Sequence, residues 1–351
     1  MTALRILFAG EDVPGSRTPQ RVAALRRLGH DVAFVPSTPP GRTCEDRPSL
    51  MRRLRHHLRR PADEAGLNPA LLRLAASGGW DILFADNVPT LTAATLRALK
   101  AACPGIRLVW YSGDDLMNPR LGSAQLDRAL PLFDLWVTTK SFNAGPAEIP
   151  ARGAKRALFV HNSFDPILHQ PTEPSEAERV AWGTDISLIG TFERPRRDSI
   201  LALCRAGLAV RVWGNGWAAE AGAHPLLQIE NRPVYGEDFA KVIAASAINL
   251  TFLRKANRDL QTCRSMEIPA CGGFMMHERN SEIAGLFQDG TEAILFGDES
   301  ELVDSAQRWL ADAERRARIA TAGRARVLAD GHDHDSRLGA ILAEAGRDGE
   351  G

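Results

Sequence analysis

Residues 257–302 read NRDLQTCRSMEIPACGGFMMHERNSEIAGLFQDGTEAILFGDESEL, and this stretch decides the fold. Asp259 stands at the start of a predicted helical segment that carries Arg264 and Glu267. A Pro-Ala-Cys-Gly-Gly turn leads into the short apolar run Phe274-Met275-Met276, and a polar loop with Glu278, Arg279 and Glu282 follows. Helix, glycine-rich turn, buried strand and polar loop is the order met at the rim of a parallel α/β sheet, where ligands sit at the carboxyl ends of strands. Two carboxylates on or beside one helix, with a third on the next loop, can accept hydrogen bonds from the vicinal hydroxyls of a ribose or a sugar ring.

Working outward, the same strand-then-helix pattern recurs on both sides. Upstream, apolar runs at Arg5–Ala9, Asp31–Val35, Trp80–Asp86, Arg107–Tyr111, Asp134–Thr139 and Ala157–Val160 predict six strands with helices between them. A Pro- and Glu-rich stretch from about Asp165 to Ala181 marks a change of composition, and the pattern restarts at Asp185–Ile189. The expected organisation is therefore a first domain over 1–172, a second over 173–330, and a terminal helix and tail over 331–351.

Several strand ends carry chemistry. The first strand runs into Glu11–Thr18, a loop with Gly15 and Ser16 ahead of a helix bearing Arg21, but with no dinucleotide fingerprint. That loop is either a phosphate-facing turn at a helix N-terminus or an ordinary crossover. The fourth strand ends in Asp114-Asp115, where one acid can serve an acceptor hydroxyl while the other starts the next segment. In the second domain, Gly190-Thr191 is followed by Arg194, Arg196 and Arg197, a diphosphate-binding arrangement or a set of surface arginines paired with acids. Gly214-Asn215 ends another strand and would let a flat base approach the backbone; a plain glycine turn is the other reading. His161 and Asn162 end the sixth strand, within reach of a substrate or as buried structural groups.

Composition excludes several classes. The 351 residues exceed one core and suggest two domains. A formal net charge of zero exerts no general pull toward nucleic acid. Five cysteines without C-x-x-C spacing suit a reducing cytosol, and a strand that begins at Arg5 suggests that no signal peptide precedes it. No apolar run reaches the roughly 20 residues needed to cross a bilayer. Residues 49–60, SLMRRLRHHLRR, space Leu50, Leu54 and Leu58 among arginines. The preferred reading is the solvated basic face of a core helix; the other is a peripheral contact with an anionic membrane surface or a charged acceptor. His332 and His334 alternate with Asp333 and Asp335, but no further His or Cys joins them, and no metal site is expected.

The ordered pattern R-S-x-E-I-P-A-C-G-G-F, then E-R, a Glu, L-F-x-x-G-x-E-A and F-x-x-x-x-E-L resembles the CgeB-like, spore-maturation-type glycosyltransferases. These are relatives of the group-one glycosyltransferase superfamily, and the resemblance extends from the first strand to about Leu302. It implies a GT-B fold, α/β, with two Rossmann-like parallel-sheet domains facing a central crevice. It also implies a metal-independent transfer from a nucleotide-sugar donor, held by the second domain, to an acceptor of unknown class held by the first. No cofactor beyond the donor is expected. The superfamily's E-x7-E motif falls on Asp259, toward the donor sugar, and Glu267, on the ribose, with Glu282 matching the following loop Glu. Arg194, Arg196, Arg197 and Arg264 would be the cations for the leaving diphosphate, and Asp114 or Asp115 the acceptor-side carboxylate. A non-catalytic nucleotide- or sugar-binding protein and a nucleotide-sugar epimerase are the alternatives.

Overall fold

A computed structural model describes residues 2–43 and 46–347. Cys44 of the cysteine reading and the last residues of the predicted tail lie outside them. The chain divides into two compact units, residues 1–161 with 334–351, and residues 162–333.

The first unit holds strands β1 (Arg5–Gly10), β2 (Asp31–Pro36), β3 (Ile82–Asp86), β4 (Arg107–Ser112), β5 (Leu135–Thr138) and β6 (Ala157–Phe159). Its helices are α1 (Thr18–Arg27), α2 (Leu50–His57), α3 (Leu67–Ala75), α4 (Ala93–Ala102) and α5 (Ala124–Ala129). All strand pairs are parallel, in the order β2-β1-β3-β4-β5-β6. The strands are continuous apolar runs because helices cover both faces of the sheet, leaving no solvated side. One face packs Leu7, Leu83, Leu108 and Trp136 against α3 and α4; the other packs Phe8, Phe84 and Val109 against α1 and the chain's last helix.

The second unit holds β7 (Thr184–Ile189), β8 (Val210–Trp213), β9 (Leu227–Ile229), β10 (Ser246–Thr251), β11 (Met275–Glu278) and β12 (Ile294–Phe296). Its helices are α6 (Glu176–Trp182), α7 (Arg194–Arg205), α8 (Gly236–Ala245), α9 (Arg264–Ala270), α10 (Ser281–Leu286), α11 (Glu299–Leu310) and α12 (Ala313–Ala329). The parallel order is β12-β11-β10-β7-β8-β9. In both sheets the order reverses beside the first strand of the unit, between β1 and β3 and between β7 and β10. Loops leaving the carboxyl ends of two such neighbours diverge to opposite faces and open a place for a ligand.

The final helix, α13 (His334–Ala345), packs on α1 within the first unit, where Arg27 pairs with Asp335 at 2.6 Å and Leu338, Ile341 and Leu342 are buried. The Pro- and Glu-rich stretch belongs to the second unit. Phe164 pairs with Asp333, and Ser175 and Glu178 form a reciprocal capping box that starts α6. Three expectations are corrected. Asp259 is not helical, since α9 begins only at Arg264. The region 49–60 is not a core helix, because no residue of α2 is buried. The strands β9 and β12 have no counterpart among the predicted ones.

His277 lies wholly buried in β11, its Nε2 2.8 Å from the Ser265 hydroxyl and its Nδ1 2.7 Å from the Glu278 carbonyl. Burial pushes its pKa from 6.5 down to about 4, against a smaller upward pull from Glu278. The unfolded chain therefore takes up a proton before the folded one does. Stability from this group is complete above pH 6.5 and is lost as pH falls toward 4. Urea midpoints of the wild type are expected to drop across this window more steeply than those of His277→Gln. Parallel slopes would remove His277 as the source.

Candidate active site

In the second unit the switch point is the end of β7. The turn Gly190-Thr191-Phe192 is zipped to the end of β8: the Gly190 amide donates to the Trp213 carbonyl at 2.8 Å and the Phe192 amide to Asn215 at 2.9 Å. The Trp217 indole donates to the Gly190 carbonyl at 2.9 Å. Gly214 has a φ of +148°, and a Cβ there would lie 2.1 Å from the Gly190 oxygen. Glycine is required at this close approach.

The three arginines after this turn separate. Arg194 opens α7, is exposed, and has no ion pair among the described residues. Arg196 turns back, buried, to the Thr191 carbonyl at 2.9 Å and to Glu193 at 3.7 Å. Its burial lowers its pKa, while Glu193 and, more weakly, Asp259 and Glu278 oppose the shift. Arg197 is taken up by Asp198 at 2.8 Å and Glu220 at 3.4 Å, so it behaves as a paired surface arginine. The α7 N-cap residue, Glu193, makes no side-chain cap, and since Pro195 has no N–H, the first-turn amides left uncapped there are those of Arg194 and Arg196.

Arg264 reaches the other side of the same turn. Its Nε donates to the Ile189 carbonyl at 3.3 Å, its guanidinium lies 4.4 Å over the Phe239 ring, and its Nη1 meets Glu267. Glu267 is only 1% exposed. His169 Nε2 lies 3.9 Å from the Glu267 carboxylate, while His169 Nδ1 accepts from the Asp165 amide at 2.9 Å. A neutral His169 thus carries its proton on Nε2, toward Glu267. Asp259 closes the loop that precedes α9, accepting from Asn257 at 2.7 Å and from the Arg254 amide at 3.3 Å. The structure therefore sets Asp259 on the Arg196 side of the turn and Glu267 on the Arg264 side.

Glu282 belongs to an adjoining polar cluster. It accepts from the Gln261 amide, whose oxygen accepts from the Asn162 backbone N–H at 2.9 Å. The Asn162 Nδ2 donor and the Thr262 hydroxyl are buried without a hydrogen-bond partner among the described residues. Such donors carry a desolvation cost that a ligand can relieve. His169, within the Pro- and Glu-rich stretch, and Gln261, in the loop before α9, carry no local pattern that singles them out.

The first unit gathers acids at its own switch point. Asp86, at the end of β3, is buried and held by Arg21 at 2.7 Å and Thr18 at 2.8 Å, which makes Arg21 a structural group. Asp114 accepts from the Asn87 side chain at 3.1 Å. Asp115 is buried, accepting from the Met117 amide at 3.1 Å and from Asn143 at 3.0 Å. Glu11, the first residue after β1, was not singled out from sequence, although it follows a strand ending in glycine. Desolvation raises its pKa above the usual carboxylate range, Asp86 and then Asp114 add to the rise, and Arg52 pulls against it. Asp114 and Glu11 are thus neighbouring carboxyl groups at one sheet end, while Asp115 is committed to the fold. Among the described residues no group of three or more His, Cys, Asp or Glu is placed to hold a metal ion.

No curated protein matches the sequence significantly. Solved structures match over nearly its whole length. Sucrose-phosphate synthase from Thermosynechococcus elongatus superposes with a TM-score of 0.66 at 14% identity, covering 97% of this chain and 98% of that one. HepE of Anabaena, solved in complex with UDP, gives 0.61 at 15% identity, covering 97% and 100%. A putative UDP-N-acetylglucosamine 2-epimerase from Listeria monocytogenes gives 0.58 at 12% identity, covering 97% and 95%. Residues 195–343 match the family described as glycosyl transferase-like. The chain has the α/β GT-B fold of these structures, two parallel six-stranded sheets with helices, and the family match lies over α7 to α13.

Proposed function

We propose that the protein is a metal-independent glycosyltransferase of the CgeB-like branch, taking a nucleoside-diphosphate sugar in the second unit and a hydroxyl acceptor in the first. The observation that carries this reading is the turn at the end of β7. Its flanking carbonyls hold Arg196 and Arg264, Arg194 stands beside it without an ion pair among the described residues, and Glu267 lies behind Arg264. In this reading Arg194, Arg264 and the first amides of α7 meet the diphosphate, and Glu267 orients the ribose hydroxyls through Arg264 or by direct contact. Fixed cations and amides aimed at the departing diphosphate stabilise the charge that develops there. The acceptor oxygen bonds to the anomeric carbon, and the bond from that carbon to the diphosphate oxygen breaks. The nucleoside diphosphate leaves with the electron pair, and the acceptor proton passes to the Asp114 or Glu11 carboxylate. Burial, with the neighbouring Asp86 and Asp114 carboxylates, raises the Glu11 pKa, which strengthens Glu11 as a proton acceptor.

The similarity to HepE in complex with UDP makes UDP the first nucleotide to test. In a thermal-shift series with UDP, GDP, ADP and dTDP, at least one is expected to raise the melting temperature, with the gain increasing with ligand concentration. A flat response to all four would overturn the reading. Turnover of the donor to an epimeric sugar without any acceptor would favour the epimerase, whose architecture is shared. Tight binding with no turnover under any acceptor would favour a non-catalytic binding protein.

A further inference from the structure

We infer that α2 is a docking element for an anionic lipid bilayer. Leu50 is 81% exposed, and Met51, Leu54 and Leu58 are each more than half exposed. At 100° per residue these four fall within about 100° of arc, so they form one apolar stripe on a helix that buries nothing in its own unit. A stripe of this kind in a water-soluble setting stands in need of an apolar cover.

The charge on the rest of the helix identifies that cover. Arg52, Arg53 and Arg55 have no ion pair among the described residues. Arg52, Arg53, His56 and His57 line a cavity of about 970 Å³ in the first unit, together with Arg42, Arg59 and Arg120. Among its described lining residues five arginines face two acids, Glu11 and Asp46. Leu54 lies at the border between the cavity and the apolar stripe, whereas Leu50, Met51 and Leu58 stand outside the cavity. A helix with leucines on one side and unpaired arginines on the other is complementary to acyl chains beside phosphate headgroups. The helix is also anchored. Ser49 caps its start, and at its end Arg59 adopts a left-handed backbone, donates to the Pro119 carbonyl at 2.8 Å and pairs with Asp127 at 2.9 Å. Its orientation is fixed from its ends while its length is left for another surface. The bilayer would thus meet the leucines, and its headgroup phosphates the arginines that open into the cavity.

Co-sedimentation of the full chain with vesicles tests this. Binding is expected to phosphatidylcholine vesicles containing phosphatidylglycerol, to weaken with added salt, and to be weak on phosphatidylcholine alone. Because α2 contributes nothing to the core, Leu50→Ser with Leu54→Ser and Leu58→Ser should keep the wild-type melting temperature and lower the partition coefficient by about tenfold. Arg52→Glu with Arg53→Glu should lower it by a similar factor of about ten, on the anionic vesicles only. Equal binding to neutral and anionic vesicles, or none to either, would overturn the inference. So would a wild-type dimer in size-exclusion chromatography that the leucine variant converts to monomer without any vesicle binding, which would make the stripe a contact between copies of the chain.

Discussion

Glu267→Ala is expected to destabilise the protein by about 3 kcal/mol and to abolish nucleoside diphosphate binding. The carboxylate is 1% exposed and faces the Arg264 guanidinium and, at 3.9 Å, His169. Truncation leaves Arg264 without its partner, and loss of one member of a buried pair typically costs about 3–5 kcal/mol. Here the lower end applies, because Arg264 remains partly exposed and stacked on Phe239, so water can reach the orphaned cation. Unfolding in urea reads this part of the effect. Glu267→Gln separates it from ligand binding, since the amide preserves the volume and one acceptor. Its stability cost should be smaller, while titration calorimetry with UDP should show an affinity fall of about ten- to a hundredfold, the worth of a charged hydrogen bond. Wild-type UDP affinity in Glu267→Gln would sink the role given to this residue.

How much of this arrangement was legible in the sequence depends on distance along the chain. The longer strands announce themselves as apolar runs ending in glycine or a polar residue, as in β1, β3, β4 and β7. The strands β9 and β12 are three residues each, too short for periodicity to register, and exist because a neighbour in the sheet offers a free edge. The helix α6 is hidden in a stretch that reads as a change of composition, although its capping box lies in the sequence as Ser175 and Glu178. Local spacing set Arg194 beside the turn after β7 and Arg264 beside Glu267 about 70 residues later, and only the family resemblance joined the two into one site. Spacing did not tell Arg194 from Arg197, which pairs with the adjacent Asp198 and with Glu220 from the segment after β8. Nor did it find Glu11, whose electrostatic neighbours Asp86 and Asp114 are supplied by β3 and the loop after β4. Those two acids become neighbours of Glu11 only through the order in which the strands pair, a fact no local pattern contains. The exposure of α2 has the same origin: its leucines read as the stripe of a core helix, and only the packing of the unit shows that none of the described residues buries them.

Gly214→Ala is expected to be at least as damaging, at about 3 kcal/mol or more, though it removes no interaction. Two effects combine. The backbone sits at φ +148°, where side-chain-bearing residues are strained, and the added Cβ would lie 2.1 Å from the Gly190 oxygen and 2.6 Å from its carbonyl carbon. Both atoms belong to backbone, so no flexible side chain can move aside. Gly207→Ala isolates the first effect. Gly207 has a φ of +85° with nothing within 4 Å of its would-be Cβ, and its substitution should cost about 1–2 kcal/mol. The excess at Gly214 then measures the clash. Relief of that clash requires the Gly190 turn to move, and the carbonyls on either side of Gly190 are those that hold Arg264 and Arg196. A chain that accommodates the methyl group by shifting this turn should therefore remain folded at low temperature yet lose UDP binding. Equal costs at the two glycines, together with unchanged UDP affinity, would mean that the turn is neither tightly packed nor part of the donor site. A large excess with lost affinity would tie the close approach of the two loops to the positioning of both arginines.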